Sequence, residues 1–134
     1  MRDYAVMRHV LTVAREARTD LYYSDFLLSV GNDDNILSQE LVRLTNDGLL
    51  DADISLDGGF GSRKRCVVSG LTDEGQEFCK LLENHDVWAI ILNTLKEANV
   101  DVSYPLLKEV CEEIVKRYVT SFIPQIQPPT NSLS

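Results

Sequence analysis

One short segment in which apolar residues alternate as in a β-strand limits the possible folds more than any other feature of the sequence. The other apolar residues of the chain are mostly spaced as in helices. From Leu50 to Leu56 every second residue is apolar, which is typical of a strand with one buried face. A glycine-rich stretch, 57–62, follows, and the segment 65–68 ends in two valines, whose branched side chains favour strands. Two strands around such a reversal predict a β-hairpin.

Three helices are predicted before the hairpin. The first covers about 3–17, with Asp3 as its N-cap, because an Asp side chain can accept hydrogen bonds from the free N–H groups of a first turn. A short extended segment, 21–23, leads into a brief second helix, and a third helix covers about 35–46. Gly48 is expected to end the third helix, since glycine tolerates a left-handed C-terminal cap. Residues with three-and-four spacing are expected to face the core: Met7, Val10, Leu11, Ala14, Ala17, Leu37, Leu41 and Leu44.

Three further helices are predicted after the hairpin. Thr72 is the expected N-cap of the first, Asn84 and His85 interrupt it, and Asp86 is the expected N-cap of the second. The last helix covers 103–119. The predicted inner positions are Phe78, Leu81, Leu82, Val87, Trp88, Ile91, Leu92, Leu95, Leu106, Leu107, Val110, Ile114 and Val115.

The order of these elements predicts the fold class. At 134 residues the chain has the size of one domain. Helix, short helix, helix, hairpin and further helices indicate an α+β, mainly α protein: a winged helix-turn-helix with a β-hairpin wing and added C-terminal helices. We expect a winged-helix domain over 1–85 and a helical pair over 86–119, packed on it or forming a dimer interface. Residues 120–134, rich in Pro, Gln, Asn and Ser, are expected to form a flexible tail.

Four segments carry a family resemblance. They are the opening Met1-Arg2-Asp3, the helix end and turn at 44–50, the stretch at 70–78 (Gly-Leu-Thr-Asp-Glu-Gly-Gln-Glu-Phe) and the Asp-Val-Trp at 86–88. Over roughly residues 1–118 the chain resembles a phage- and prophage-associated winged-helix family of unknown function. The resemblance implies a small, non-enzymatic mobile-element protein, and it assigns no functional residue.

Charge separates the candidate functions. The formal net charge is −8, whereas a nucleic-acid binder normally presents a basic face to the phosphates. Residues 31–62 hold one Arg against seven acidic residues, a net charge of −6, and 63–65 are all basic, a net charge of +3. An acidic block therefore stands directly before a basic hairpin tip.

The residues predict no catalytic site, metal site or cofactor. The two histidines, His9 and His85, lack a neighbouring pattern that marks a nucleophile. The three cysteines are widely spaced and lack the paired ligands of a zinc site, so we expect reduced structural thiols. The glycines at 58–61 lack the Lys-Ser/Thr ending of a phosphate-binding loop. A non-enzymatic binding protein is the expectation.

No membrane association is expected. The uncharged apolar run that begins at Val87 is far too short to cross a bilayer, and the first residues lack an apolar signal core. We expect a cytoplasmic protein, placed in the host cytoplasm if it is phage-encoded.

The favoured hypothesis is an acidic surface that binds a basic, nucleic-acid-handling or defence protein of the host. Such a protein would act as an inhibitor, in the manner of a DNA mimic, because complementary charge speeds association and sets orientation. The residues assigned to this surface are Asp33, Asp34, Glu40, Asp47, Asp51 and Asp53.

The alternative is a DNA-binding transcriptional regulator that inserts its third helix in the major groove. Asn, Gln and Arg are good readers of base edges, and the basic hairpin tip could hold the backbone. The residues assigned to this role are Asn35, Gln39, Arg43, Arg63, Lys64 and Arg65. It ranks second because Asp33, Asp34, Glu40 and Asp47 on and around that helix would repel phosphates.

A homodimer is also expected. Ile90 and Tyr104 add apolar surface to the C-terminal helices beyond their inner stripes. Apolar residues on more than one helix face indicate burial on two sides.

Overall fold

The computed structural model describes residues 2–27, 34–55 and 65–123, with the side chain of Asp34 excepted, and the statements below concern these residues. The elements are α1 (Tyr4–Glu16), β1 (Leu21–Tyr22), α2 (Tyr23–Leu27), α3 (Asp34–Asn46), β2 (Leu50–Ser55), β3 (Arg65–Leu71), α4 (Asp73–Leu81), α5 (His85–Ala98) and α6 (Tyr104–Phe122). The mainly helical α+β prediction is confirmed.

The chain divides into two compact units, residues 1–80 and 81–134. The division falls at the end of α4, a few residues before the boundary that was predicted at 85. Each unit is described by itself below.

Helix α1 supplies a large part of the core of the first unit. The Asp3 side chain caps it by accepting a hydrogen bond from the Val6 N–H at 3.0 Å. The predicted stripe is buried as far as Ala14, and Met7, Val10 and Leu11 have no exposed surface; Ala17, its last predicted member, is half-buried and lies just after the helix. Burying one side chain of this size stabilises a fold by about 1.5–3 kcal/mol, so this stripe holds α1 in place.

A three-stranded antiparallel sheet follows the order β1-β3-β2. Strand β2 pairs with β3 from Leu50 opposite Leu71 to Ser55 opposite Arg65, with an irregularity between Asp51 and Ala52. Along β2 the odd-numbered residues 51, 53 and 55 are exposed, as the period of two predicted. The third strand, β1, lies where the sequence indicated only a short extended segment, and β3 continues three residues beyond the predicted Val68.

The link from α3 to β2 and the start of α4 form one compact corner. Gly48 has φ +79°, a left-handed conformation, and therefore ends α3 as predicted. Thr72 caps α4: its hydroxyl accepts a hydrogen bond from the Gly75 N–H at 3.0 Å and donates one to the Gly48 carbonyl at 2.6 Å. A Cβ atom at Gly75 would collide with the Leu49 carbonyl oxygen, so only glycine fits there.

The second unit is built from α5 and α6. The cap of α5 is Asn84, whose side chain accepts from the Asp86 and Val87 N–H groups at 2.9 and 3.1 Å; the prediction of Asp86 as the cap was wrong by two residues. The Tyr118 hydroxyl donates to an Asp86 carboxylate oxygen at 3.2 Å, so the end of α6 lies beside the start of α5. The two helices are therefore antiparallel.

Two predictions about α6 need correction. Leu106, assigned to the inner stripe, is 47% exposed, while Leu107 and Cys111 are fully buried and form the inner face. The helix also continues to Phe122, so the first residues of the predicted tail, 120–122, are helical. Residues 124–134 of that predicted tail lie outside the described part of the chain.

Among the described helices, none combines the length and the apolar composition that a membrane crossing requires.

Candidate binding face of α3

The core side of α3 is set by leucines at helical spacing, and its other side is polar. Leu37, Leu41 and Leu44 are fully buried. The outward residues are Asn35, Ser38, Gln39, Val42, Arg43 and Asn46, and we call them the α3 face. The last five of these line a shallow depression of about 400 Å³. Three of the six assigned DNA-reading residues, Asn35, Gln39 and Arg43, thus belong to one helical surface.

Hydrogen bonds order part of the α3 face. The Gln39 amide donates to the Asn35 side-chain oxygen at 3.4 Å. The Tyr23 and Ser38 hydroxyls are 2.8 Å apart and join α2 to α3. Gln39 and Asn46 remain exposed, so their amide groups can meet a partner.

Glu40 does not belong to an exposed acidic surface. Its side chain is 4% exposed, and one of its carboxylate oxygens, Oε1, accepts a hydrogen bond from Arg2 Nε at 2.7 Å. Arg2 Nη2 lies 2.6 Å from the same oxygen, and the Arg2 side chain has no exposed surface. The assignment of Glu40 to a protein-binding surface is therefore corrected: the residue belongs to a buried ion pair.

Burial governs the ionisation of Glu40. Loss of water raises the pKa of the Glu40 carboxyl above its ordinary value of 4.5, and the positive charges of Arg2 and Arg43 act in the opposite direction. The net shift is upward, so burial outweighs the ion pair in its effect on this carboxyl.

Asp47 shares the same cation. Its carboxylate Oδ2 lies 3.6 Å from Arg2 Nη1, and its side chain is 23% exposed. One guanidinium thus stands between two carboxylates, one in the middle of α3 and one just after its end. Two of the four acidic residues expected to repel phosphates from this helix are therefore paired with a buried arginine.

The hairpin carries a second, exposed ion pair. Arg65 Nε lies 3.1 Å from an Asp53 carboxylate oxygen, and both side chains are about two-thirds exposed. Asp51 is exposed two residues earlier on the same side of β2. Of the remaining assigned residues, Asp33, Arg63 and Lys64 lie outside the described part of the chain, and for Asp34 only the backbone is described.

The cysteines and histidines take no part in this face. All three cysteines are free and buried, and burial raises the pKa of Cys66 to about 11 and of Cys111 to about 12, so both are protonated at neutral pH. His85 is exposed at the first residue of α5, and His9 is half-buried in α1. Within the described ranges no three His, Cys, Asp or Glu residues form a group that could hold a metal ion.

Sequence reasoning missed Arg2, although one signal pointed to it. Glu40 lies three residues after Leu37 and four before Leu44, so the helical period places it on the buried side. A charge at such a position requires a buried partner. The identity of that partner, 38 residues away, leaves no mark on the local pattern.

Comparisons with known proteins identify no relative: no family model, curated protein or solved structure matches this chain. The resemblance to a phage-associated winged-helix family therefore remains an expectation.

Proposed function

We propose that residues 2–80 form a winged-helix module that binds duplex DNA through the α3 face and has no catalytic activity of its own. The observation that carries the proposal is the withdrawal of Glu40 from the surface of α3 into an ion pair with Arg2. We therefore rank duplex DNA above the basic protein partner that the sequence analysis favoured.

The order of the elements supports the fold part of the proposal. Three helices precede the antiparallel strands β2 and β3, α2 comes before α3 along the chain, and β1 pairs with β3; a winged helix has this order of elements. In a helix-turn-helix protein the second helix of the motif enters the major groove, and its outward side chains meet the base edges. Here that helix is α3.

The chemistry of the α3 face supports the DNA part. Asn and Gln amides can form paired hydrogen bonds with adenine, and an Arg guanidinium can do so with guanine. Gln39 and Asn46 are exposed and Arg43 is half-buried on the same helical surface. The exposed Val42 adds an apolar contact of the kind that suits a thymine methyl group.

The electrostatic argument against DNA is weaker than the sequence implied. That argument depended on the acidic residues around α3. An exposed carboxylate repels a nearby DNA phosphate with a Coulomb energy of about 1 kcal/mol even in water, and this repulsion weakens binding. Glu40 and Asp47 both lie beside the Arg2 guanidinium, so its positive charge offsets part of their combined negative charge.

A second candidate function remains the binding of a basic protein partner, as an inhibitor of the host protein or a mimic of DNA. The observation in its favour is the exposed acidic side of β2, where Asp51 and Asp53 project from alternate positions of one strand. A pull-down of basic, nucleic-acid-handling proteins that is lost in an Asp51→Lys, Asp53→Lys variant would favour this function.

We also propose self-association through α5 and α6. Within the second unit, several large apolar side chains are exposed: Ile90, Val100, Leu106, Val119 and Phe122. Pairing two copies would remove such surface from water. Light scattering should give the mass of a dimer, and a monomer at all workable concentrations would contradict this part of the proposal.

Fluorescence anisotropy with a labelled random-sequence duplex tests the DNA proposal. Micromolar or tighter binding that weakens steeply from low to physiological salt is expected, because phosphate contacts release counterions. Arg43→Ala should weaken binding and reduce the salt dependence by about one released ion. Arg117→Ala is the matched control, since it removes one exposed arginine from α6 and leaves the α3 face intact. The proposal fails if the wild-type protein does not bind at low salt or if both variants bind alike.

A further inference from the structure

The strongest unexplained feature outside the α3 face is the burial of a full positive charge at the second residue of the chain. Arg2 precedes the α1 cap Asp3, and its side chain has no exposed surface. A long side chain of this kind is almost never fully buried unless its charge is matched. Its two carboxylate partners, Glu40 and Asp47, both belong to the region of α3, not to α1.

Arg2 offsets part of the negative charge around α3. Among the described side chains of α3 and its end, Arg43 carries one positive charge and Glu40 and Asp47 carry two negative charges, and the sequence places a third carboxylate, Asp34, at the start of the helix. Arg2 supplies the second positive charge of this region. Because its guanidinium is buried, it cannot touch a phosphate on the outside of the protein, so any effect on a bound polyanion must act through the α3 carboxylates and through space.

We infer that Arg2 is a positioning and charge-setting residue for the α3 face: it holds the Glu40 and Asp47 carboxylates away from a polyanion and offsets part of their charge. This inference rests on the proposed DNA-binding function and adds the residue that makes α3 compatible with it. The alternative is a contact that only holds α1 against α3, and it predicts different consequences for Glu40→Gln and Asp47→Asn.

The two readings differ in the sign of one effect. If Arg2 sets the charge of the face, Glu40→Gln removes a negative charge and should tighten DNA binding, even though it removes half of a native ion pair. If Arg2 only ties two helices together, the same substitution should weaken binding or leave it unchanged. Asp47→Asn tests the same sign at a partly exposed site, where the substitution disturbs the core less.

Anisotropy titrations with random-sequence duplex DNA, on full-length proteins whose folding is checked by circular dichroism, decide between the readings. At low salt we expect Glu40→Gln and Asp47→Asn to bind about three- to tenfold more tightly than wild type and Arg2→Gln to bind more weakly by a similar factor, the effect of one charge acting near a protein surface. The double variant Arg2→Gln, Glu40→Gln loses both charges and should return to within about twofold of wild type. These differences should shrink at higher salt, where screening shortens the reach of a charge.

The outcomes separate this inference from the function on which it rests. If wild type binds DNA but neither Glu40→Gln nor Asp47→Asn binds more tightly, Arg2 is only a structural tie and the inference is overturned while the DNA proposal stands. If the affinity losses follow the melting temperatures and do not change with salt, the inference is likewise overturned. If neither wild type nor any folded variant binds at low salt, the proposed function fails and the inference fails with it. If Glu40→Gln does not fold, Asp47→Asn carries the test of sign.

Discussion

Two ion pairs in the first unit have the same chemistry and opposite surroundings. Arg2 and Glu40 meet with almost no exposed side-chain surface, whereas Arg65 and Asp53 meet on the hairpin with about two-thirds of each side chain in water. Both pairs join a guanidinium to a carboxylate at short distance. Their contributions nevertheless differ, because a buried charge that loses its partner has no water to replace it, while an exposed one is solvated at once.

The comparison also separates two uses of charge. The exposed pair leaves Arg65 free to exchange Asp53 for a phosphate, since a surface ion pair is worth only about 0–1 kcal/mol. In the buried pair Arg2 cannot exchange Glu40 for a phosphate. Its role is to keep the Glu40 carboxylate away from the exposed surface of α3. Four substitution experiments break or sharpen this contrast.

The largest effect is expected for Arg2→Met, which keeps the length of the side chain and removes its charge. Glu40 then stays buried without its cation, and breaking a buried pair in this way costs about 3–5 kcal/mol. Urea unfolding followed by circular dichroism measures the loss. A change below about 1 kcal/mol, typical of a surface substitution, would mean that the pair is solvated and that the contrast between the two sites is wrong.

A smaller effect is expected from the coupling between partners. Double-mutant cycles should give a coupling free energy above about 1.5 kcal/mol for Arg2 with Glu40 and below about 0.5 kcal/mol for Arg65 with Asp53. The exposed pair is the control for the buried one. Equal coupling free energies at the two sites would show that burial does not change the strength of the ion pair.

The pH dependence of stability should distinguish Glu40 from the exposed carboxylates. The folded pKa of Glu40 lies above 4.5, so the folded protein takes up this proton more readily than the unfolded chain. The contribution of Glu40 to the free energy of unfolding should therefore rise as the pH falls from neutral through its folded pKa towards 4.5. Comparing wild type with Glu40→Gln isolates this contribution, because the variant lacks the titrating group. A difference that falls or stays constant over that window would contradict the upward direction of the shift.

The smallest effect is expected for Asp53→Asn. Removing one partner of an exposed pair should change the free energy of unfolding by less than about 1 kcal/mol. The change should become smaller still at high salt, because exposed charges are screened. Thermal melts at low and high salt measure it, and a loss as large as that of Arg2→Met would show that the hairpin pair is not a surface pair in energetic terms.

Much of the first unit was predictable because its signals are local. The α1 stripe, the Asp3 and Thr72 caps, the glycine after α3 and the alternation along β2 each depend on residues a few positions apart, and all of them agree with the structure.

In the second unit the cap of α5 was misplaced because Asn84 and Asp86 are both good capping residues at nearly the same point of the chain. Local preference could not choose between them.

Other features depend on contacts between distant segments. Strand β1 has only two residues and gains its hydrogen bonds from β3, which lies more than forty positions along the chain. The exposed Leu106 and buried Leu107 show the same limit in α6: both are apolar, and only packing decides which one faces inward.

The sequence by itself determined the helices, the hairpin, the mainly α class and the candidate residues on the outside of α3, because helical and strand periods repeat within a few residues and report directly which side of an element is apolar. Only the tertiary structure decided which charged side chains of α3 are exposed and which are buried. The Glu40 carboxylate and the Arg2 guanidinium are 38 positions apart, and their meeting depends on how α1 packs against α3. Coulomb energy depends on distance and on the surrounding medium rather than on position in the chain, so a net charge read from sequence could not tell a repelling surface from a neutralised interior.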